Sequence, residues 1–254
     1  MRPLTSPSWA RLVAGALGMA VALGACTTPD VAVPPASSSA SPGTGRPTTV
    51  TSSSGSGLSP VGARLLRLLR GVAVAETSYH PGYDRSCGPG HGCVFGEEWS
   101  DAHPGPFGHN GCDTRQDVLL EQLRDVELRW GSRCRIFQAR LTDPYTGRAL
   151  TWRDDGYRIQ VDHVYPLAQA WYAGAWAWPQ RRRVRLANDV ELELLAVSAA
   201  ANQDKGSQSP GDWLPPWRPF RCAYLVRYLR VARAYDLPVT PADAVVVRRS
   251  APRC

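Results

Sequence analysis

Val161-Asp162-His163-Val164-Tyr165-Pro166 and, further along, Asn202-Gln203-Asp204-Lys205-Gly206 are the two stretches on which the reading of this chain turns. An Asp beside a His at a strand end can hold a divalent cation through its carboxylate while the imidazole takes a proton from water. Neighbouring residues on a strand point to opposite faces, so both serve one site only where the strand bends or stops. Pro166 supplies such a stop. Asn202 offers an amide oxygen, a hard ligand suited to Mg²⁺ or Mn²⁺, ions held by one or two protein oxygens together with waters and a substrate phosphate. Lys205 is the only lysine in a chain with 29 Lys and Arg side chains.

Around this segment the pattern predicts a mixed α and β domain over residues 61–254. Leu65, Leu66, Leu68, Leu69 and Val72, with Arg64, Arg67 and Arg70 between them, read as an amphipathic packing helix. Residues 79–112 lack any sustained period and read as a long loop. Thr114 and Asp117 resemble a capping box, opening a helix expected to run to about Trp130. A hairpin follows, from Arg135–Leu141 through the turn at Asp143–Gly147 to Arg148–Trp152. Tyr157–Val161 reads as a strand and Leu167–Ala175 and Pro179–Ala187 as helices. Leu192–Val197 reads as extended, with a helix starting near Ala199 and a last one over Phe220–Tyr235.

The front of the chain has a different character. Arg2 and Arg11 precede the uncharged run Leu12–Leu23, which closes on Leu23-Gly24-Ala25-Cys26. This is the layout of an export signal over residues 1–26, and the tetrapeptide looks like a lipobox that would leave Cys26 N-terminal and acylated. An ordinary secretory signal with an incidental Cys is the alternative. Residues 27–60 are mostly Ser, Thr, Pro and Gly, with only Asp30 and Arg46 charged. Such a stretch buries too little apolar surface to offset its ordering entropy and reads as a disordered tether. The expected location is therefore the outer face of the bacterial cell membrane, reached through a lipid on Cys26, and no protein partner is expected. No apolar run after residue 60 is long enough to span a bilayer.

Six cysteines remain, at Cys87, Cys93, Cys112, Cys134, Cys222 and Cys254, an even number that in an exported chain implies three disulfides. Pairing of sequence neighbours is favoured: 87 with 93, 112 with 134, and 222 with 254. A zinc site among His80, His91, His103, His109 and these cysteines is the competing idea, weakened by the lack of short Cys-x2-4-Cys clips.

The formal charge is +7, and its excess lies in the C-terminal third, where Arg181, Arg182, Arg183, Arg185, Arg227, Arg230 and Arg233 fall. That part is the candidate polyanion face. Arg115, Arg181, Arg182 and Arg185 are the candidate nucleic-acid contacts; Arg115 alternatively pairs with a carboxylate that organises its loop. Trp171, Trp176 and Trp178 read as packing residues ahead of base-stacking ones.

The order Asp162-His163, Pro166, Leu195-Ala196-Val197, Asn202 and Lys205-Gly206 resembles HNH nucleases of the His-Me-finger (ββα-metal) class. The likeness is nearest to the C-terminal domain of GmrSD-type restriction endonucleases and to exported bacterial HNH-family lipoproteins. It extends to Tyr83-Asp84-Arg85, Gly111–Arg115, Thr142–Gly147, Ala187-Asn188-Asp189 and Trp213-Leu214-Pro215. The resemblance implies an α+β, disulfide-stapled domain: a ββα-metal unit with a hairpin and additional helices. It implies a divalent-cation-dependent phosphodiester hydrolase acting on nucleic acid, DNA ahead of RNA. In it His163 is the general base, Asp162 and Asn202 hold Mg²⁺ or Mn²⁺, and Lys205 sits by the phosphate.

One departure stands out. Where the family commonly places its middle Asn, which braces the loop carrying the His, this chain reads Leu192-Glu193-Leu194-Leu195. Glu193 and Asn188 are the candidate supporting residues, and Glu193 could also add a metal carboxylate or repel the phosphate. Two alternatives to the endonuclease stay open: a catalytically impaired envelope lipoprotein acting as a binding module, and a hydrolase of a non-nucleic phosphodiester polymer.

Overall fold

A computed structural model describes residues 57–254. The signal segment, Cys26 and all but the last residues of the tether lie outside the described residues. The first helix, α1 (Pro60–Arg70), is opened by Ser59, whose Oγ accepts from Gly62 N, and by a proline in its first turn. Leu65, Leu68 and Leu69 form its buried stripe. Gly62 is fixed by contact: a Cβ there would lie 2.2 Å from the Ala251 carbonyl oxygen.

Residues between α1 and residue 114 contain no regular strand or helix, apart from an isolated parallel bridge of Val74 to Val239. Helix α2 (Thr114–Gln122) begins at Asp113, whose side chain accepts from Gln116 N. The N-cap is therefore Asp113 and not Thr114. The helix also stops eight residues short of Trp130. Leu123 turns extended and the chain continues as strand β1 (Arg124–Leu128), antiparallel to β2 (Ile136–Thr142), which pairs in turn with β3 (Ala149–Thr151). Leu123, Val126 and Trp130 have helical spacing, but only Leu123 and Val126 reach the core, and they do so from extended backbone, while Trp130 is fully exposed.

After α3 (Trp152–Asp155) and one 3₁₀ turn comes β4 (Ile159–His163). Helices α4 (Leu167–Tyr172) and α5 (Gln180–Ala187) then lead to β5 (Leu194–Ser198), which pairs antiparallel with β4, Asp162 opposite Leu195. Helix α6 (Ala199–Lys205) follows directly, capped by Ser198. The chain ends with α7 (Arg221–Ala234) and α8 (Pro241–Ser250), the latter opened by a Thr240–Asp243 capping box.

The β4–β5 pair lies between two apolar cores. Ile159, Val161, Leu194 and Ala196 pack with Val118, Leu119 and Leu141 of α2 and β2. Leu195 and Val197, on the other face, join Leu65, Leu225, Leu229 and Val247 of the helices. This alternation fixes register, because a slip of one residue would turn every side chain to the wrong core.

The described residues thus form an α+β unit with two small sheets, stapled by Cys87–Cys93, Cys112–Cys134 and Cys222–Cys254. These are the neighbour pairings. With these six thiols oxidised, no cysteine among the described residues is left for a zinc site.

Candidate functional site

On β4, Ile159 and Val161 point into one core, which leaves Gln160 and Asp162 facing α6. Asn202 Nδ2 donates to Gln160 Oε1 at 3.0 Å, and Lys205 Nζ donates to Asp162 Oδ1 and to the His163 carbonyl, each at 2.8 Å. Tyr145 OH donates to the second carboxylate oxygen, Oδ2, at 2.5 Å. Burial pushes the Asp162 carboxyl up, and the Lys205 cation and the Tyr145 hydrogen bond pull it back.

Lys205 is completely buried. It does not line the cleft and stands behind Asp162, so the expected position beside a substrate phosphate is corrected: its ammonium neutralises the carboxylate and ties off the strand end.

His163 is the last residue of β4. Its Nε2 lies 3.0 Å from the Ala187 carbonyl oxygen. Only an N–H can face a carbonyl, so Nε2 carries the proton and Nδ1 is the ring's acceptor. Trp99 stacks on the imidazole, with centroids 5.7 Å apart and planes at 16°. Burial, reinforced by the charges of Arg85 and Lys205, lowers the His163 pKa to about 3. The ring is neutral at physiological pH.

Two supporting residues hold this geometry. Asn188 ends α5, its Nδ2 donating to the Val184 carbonyl at 2.9 Å, and so fixes the turn that presents the Ala187 carbonyl. Glu193 is fully buried, and its Oε2 accepts from Tyr165 N at 3.1 Å while its backbone carbonyl accepts from Val164 N. It braces the loop after His163, and it is absent from the cleft wall, so it neither adds a metal carboxylate nor faces a phosphate. Burial first, then the Asp162 and Asp189 charges, hold its pKa well above the ordinary range, against the opposing pull of the Tyr165 N–H and the Lys205 cation. Arg227 supports the same turn from outside, donating to the carbonyls of Leu192, Glu191 and Leu194.

Asp162, His163 and Asn202 share a cleft of about 290 Å³ with Arg85, Glu98 and Trp99 of the long loop. The termination of β4 at His163 lets two neighbours of opposite orientation reach one space. Arg85 and Glu98 stand 3.9 Å apart. Asp84 fastens this lip by accepting from the backbone N–H groups of Ser86 and Gly92, inside the Cys87–Cys93 staple. Sequence reasoning singled out none of Arg85, Glu98 and Trp99 for the site, although Tyr83-Asp84-Arg85 belonged to the resemblance.

The candidate arginines do not converge on this cleft. Arg115 donates to the Ile159 carbonyl at 3.1 Å and sits over the Trp152 ring, anchoring α2 to the start of β4; no carboxylate among the described residues forms an ion pair with it. Arg182 binds Asp236 and the Tyr235 carbonyl and covers Trp178. Arg181 and Arg185 are exposed on α5, on the walls of other depressions.

Among the described residues no group of three or more His, Cys, Asp or Glu side chains could hold a metal ion between them. What the cleft offers a cation is sparser: the Asn202 Oδ1, which has no protein partner, and the remaining lone pairs of the Asp162 carboxylate. Two hard oxygens suit an ion that keeps most of its ligands as water and phosphate. No helix of the described residues is long and apolar enough to cross a membrane.

An antiparallel strand pair followed by a helix thus brings Asp162, His163 and Asn202 to one cleft. The chain belongs to the family of GmrSD restriction endonucleases, C-terminal domain, whose model matches residues 113–245. It is also 35% identical over 133 residues to an uncharacterized secreted protein of Arthroderma benhamiae, a match covering 52% of this chain and 63% of the relative. No solved structure matches.

Proposed function

We propose that the domain is an HNH-type, metal-dependent endonuclease that hydrolyses phosphodiester bonds of nucleic acid, DNA ahead of RNA, outside the cell membrane. The observation that carries this reading is His163: its Nε2 is committed to the Ala187 carbonyl, its Nδ1 is the only acceptor left on the ring, and it shares a cleft with Asp162 and Asn202. In this reading β4, β5 and α6 are the ββα-metal unit.

Asp162 and Asn202 would hold Mg²⁺ or Mn²⁺, which when bound would neutralise charge developing on the phosphate and the leaving oxygen. His163 Nδ1 takes the proton of the attacking water, and the Ala187 carbonyl stabilises the imidazolium that results. Trp99 covers the ring and keeps its orientation. Arg85, at the opposite lip, supplies a cation within reach of an anionic substrate. Lys205 acts through Asp162, holding the carboxylate ionised and aimed.

The disulfides and the kinship with a secreted protein support export; residues 1–26 as signal, Cys26 as the lipidated residue and residues 27–60 as tether rest on the sequence pattern alone. The test is cleavage of supercoiled plasmid, single-stranded DNA and RNA with Mg²⁺ or Mn²⁺, against chelator and His163→Ala. Cleavage that requires both the cation and His163 is expected. A folded, oxidised protein that cuts none of the three substrates, or that cuts equally well as His163→Ala, defeats the reading.

A further inference from the structure

The basic excess of the C-terminal third is not spent at the cleft. Arg183, Arg221 and Arg227 donate to backbone carbonyls, and Arg182 is paired with Asp236. Arg230 and Arg233 on α7, however, meet Arg64 and Arg67 of α1 around one depression of about 620 Å³ floored by Leu68, Leu192 and Ala234. All four arginines are exposed, none has a hydrogen-bond or ion-pair partner, and no acidic residue lines the depression.

Each helix presents its pair at an i, i+3 spacing, so the two pairs flank the groove as rows. The helix dipole accounts for Arg67 and Arg233, which fall in the last turns of α1 and α7, but not for Arg64 and Arg230, which lie further in. A second depression shares Leu192 and Ala234 with this one and continues the basic lining with Arg182 and Arg185 of α5. Asp189, at its edge, already has both carboxylate oxygens engaged, by Leu192 N and Tyr235 OH. The four guanidinium groups of the first depression, brought together with no carboxylate among them, repel one another unless an anion lies between them.

We propose that the groove between α1 and α7, lined by Arg64, Arg67, Arg230 and Arg233, binds the sugar–phosphate backbone of nucleic acid at a place separate from the cleft. Its concave form and its continuation along α5 suit a strand, whereas a membrane surface would call for a flat or convex face. Contacts from these guanidinium groups to phosphate would position the polyanion without reading sequence. This deepens the endonuclease reading and rests on it for the identity of the polymer.

The test uses the full chain and its Arg64→Gln/Arg67→Gln/Arg230→Gln/Arg233→Gln variant. Binding of a fluorescent duplex is followed by anisotropy in chelator across a salt series, and hydrolysis of bis(p-nitrophenyl) phosphate with Mn²⁺ is followed separately. Loss of four phosphate contacts lowers the slope of log affinity against log salt by about 3 to 4 and weakens binding more than tenfold at low salt. Thermal melting and hydrolysis of the small diester, which reaches only the cleft, stay unchanged. Equal affinity and slope in the two proteins overturn the proposal, as does a groove required by phosphatidylglycerol vesicles and not by the duplex. Groove-dependent duplex binding with no hydrolysis of either substrate leaves the groove supported and removes the endonuclease reading.

Discussion

Lys205 Nζ lies 2.8 Å from Asp162 Oδ1 with neither side chain open to solvent. Three residues along α6 advance about 4.5 Å and two along β4 about 6.6 Å, so Asn202 and Lys205 fall opposite Gln160 and Asp162. The pair therefore locks the helix to the strand that ends in His163. Removing one partner of a buried ion pair strands the other. Lys205→Met is expected to lower stability by about 3–5 kcal/mol. Urea denaturation checks it: a lysine that only met phosphate at the surface would leave the midpoint where it was.

Glu193 is a carboxylic acid in the place of a bracing amide. Its pKa is raised above that of the unfolded chain, so the stability it contributes is fully present below the ordinary Glu range and is lost as pH rises through its folded value. Glu193→Gln keeps an acceptor for Tyr165 N and removes the ionisation. The expected result is a variant at least as stable as the parent at pH 8, with the difference closing towards pH 4, and with cleavage retained. Denaturation midpoints across that range measure it; a variant clearly less stable at pH 8 would mean that Glu193 is buried as an anion.

Much of this arrangement was legible before the coordinates. Asp162-His163, the stop near Pro166 and the helix Ala199–Lys205 all fall where the pattern put them, because strand alternation and proline are local signals. The inward turn of Lys205 was not legible, since a lysine on a short helix normally faces water and only the buried Asp162 reverses that. Trp99 and Arg85 escaped because the long loop has no period; its path is set by the Asp84 turn and the Cys87–Cys93 link. Helix α8 did carry a signal, the Thr240-Pro241 start with Asp243 at the third position, and went unread. Strand β1 was taken for helix because Leu123, Val126 and Trp130 repeat at helical spacing; Asp125, at φ +51°, belongs to the bulged backbone that breaks that reading.

The imidazole of His163 titrates far below its usual position, which has a consequence for the metal-free protein. Its folded pKa is about 3 against 6.5 for an unperturbed His. The unfolded chain binds the proton first, so the stability tied to this neutral ring is present above about pH 6.5 and falls away as pH drops towards 3. The His163 ring signals in an NMR titration in chelator should stay flat from pH 8 to pH 5. His163→Gln should remove part of the acid destabilisation over the same interval, and a ring that titrates near pH 6.5 would contradict the buried geometry.

Trp99 links that titration to the loop. It is a bulky residue at φ +57°, a backbone conformation such side chains rarely adopt, and it holds its indole against the His163 ring. Strain of this kind costs of order 1–3 kcal/mol and persists where surrounding structure enforces it; here the Trp99 carbonyl accepts from Thr114 N at 3.0 Å, at the start of α2. Trp99→Gly relieves the backbone and uncovers the imidazole, so the two effects separate. Stability is expected to change little, since the relieved strain offsets part of the lost packing, whereas the His163 titration should move up towards 6.5 and cleavage should fall at least tenfold. Trp99→Phe keeps a ring on the imidazole and should retain the depressed titration. If the glycine variant titrates as the parent does, the desolvation of His163 comes from β4 and α5 alone, and the loop has no part in tuning the base.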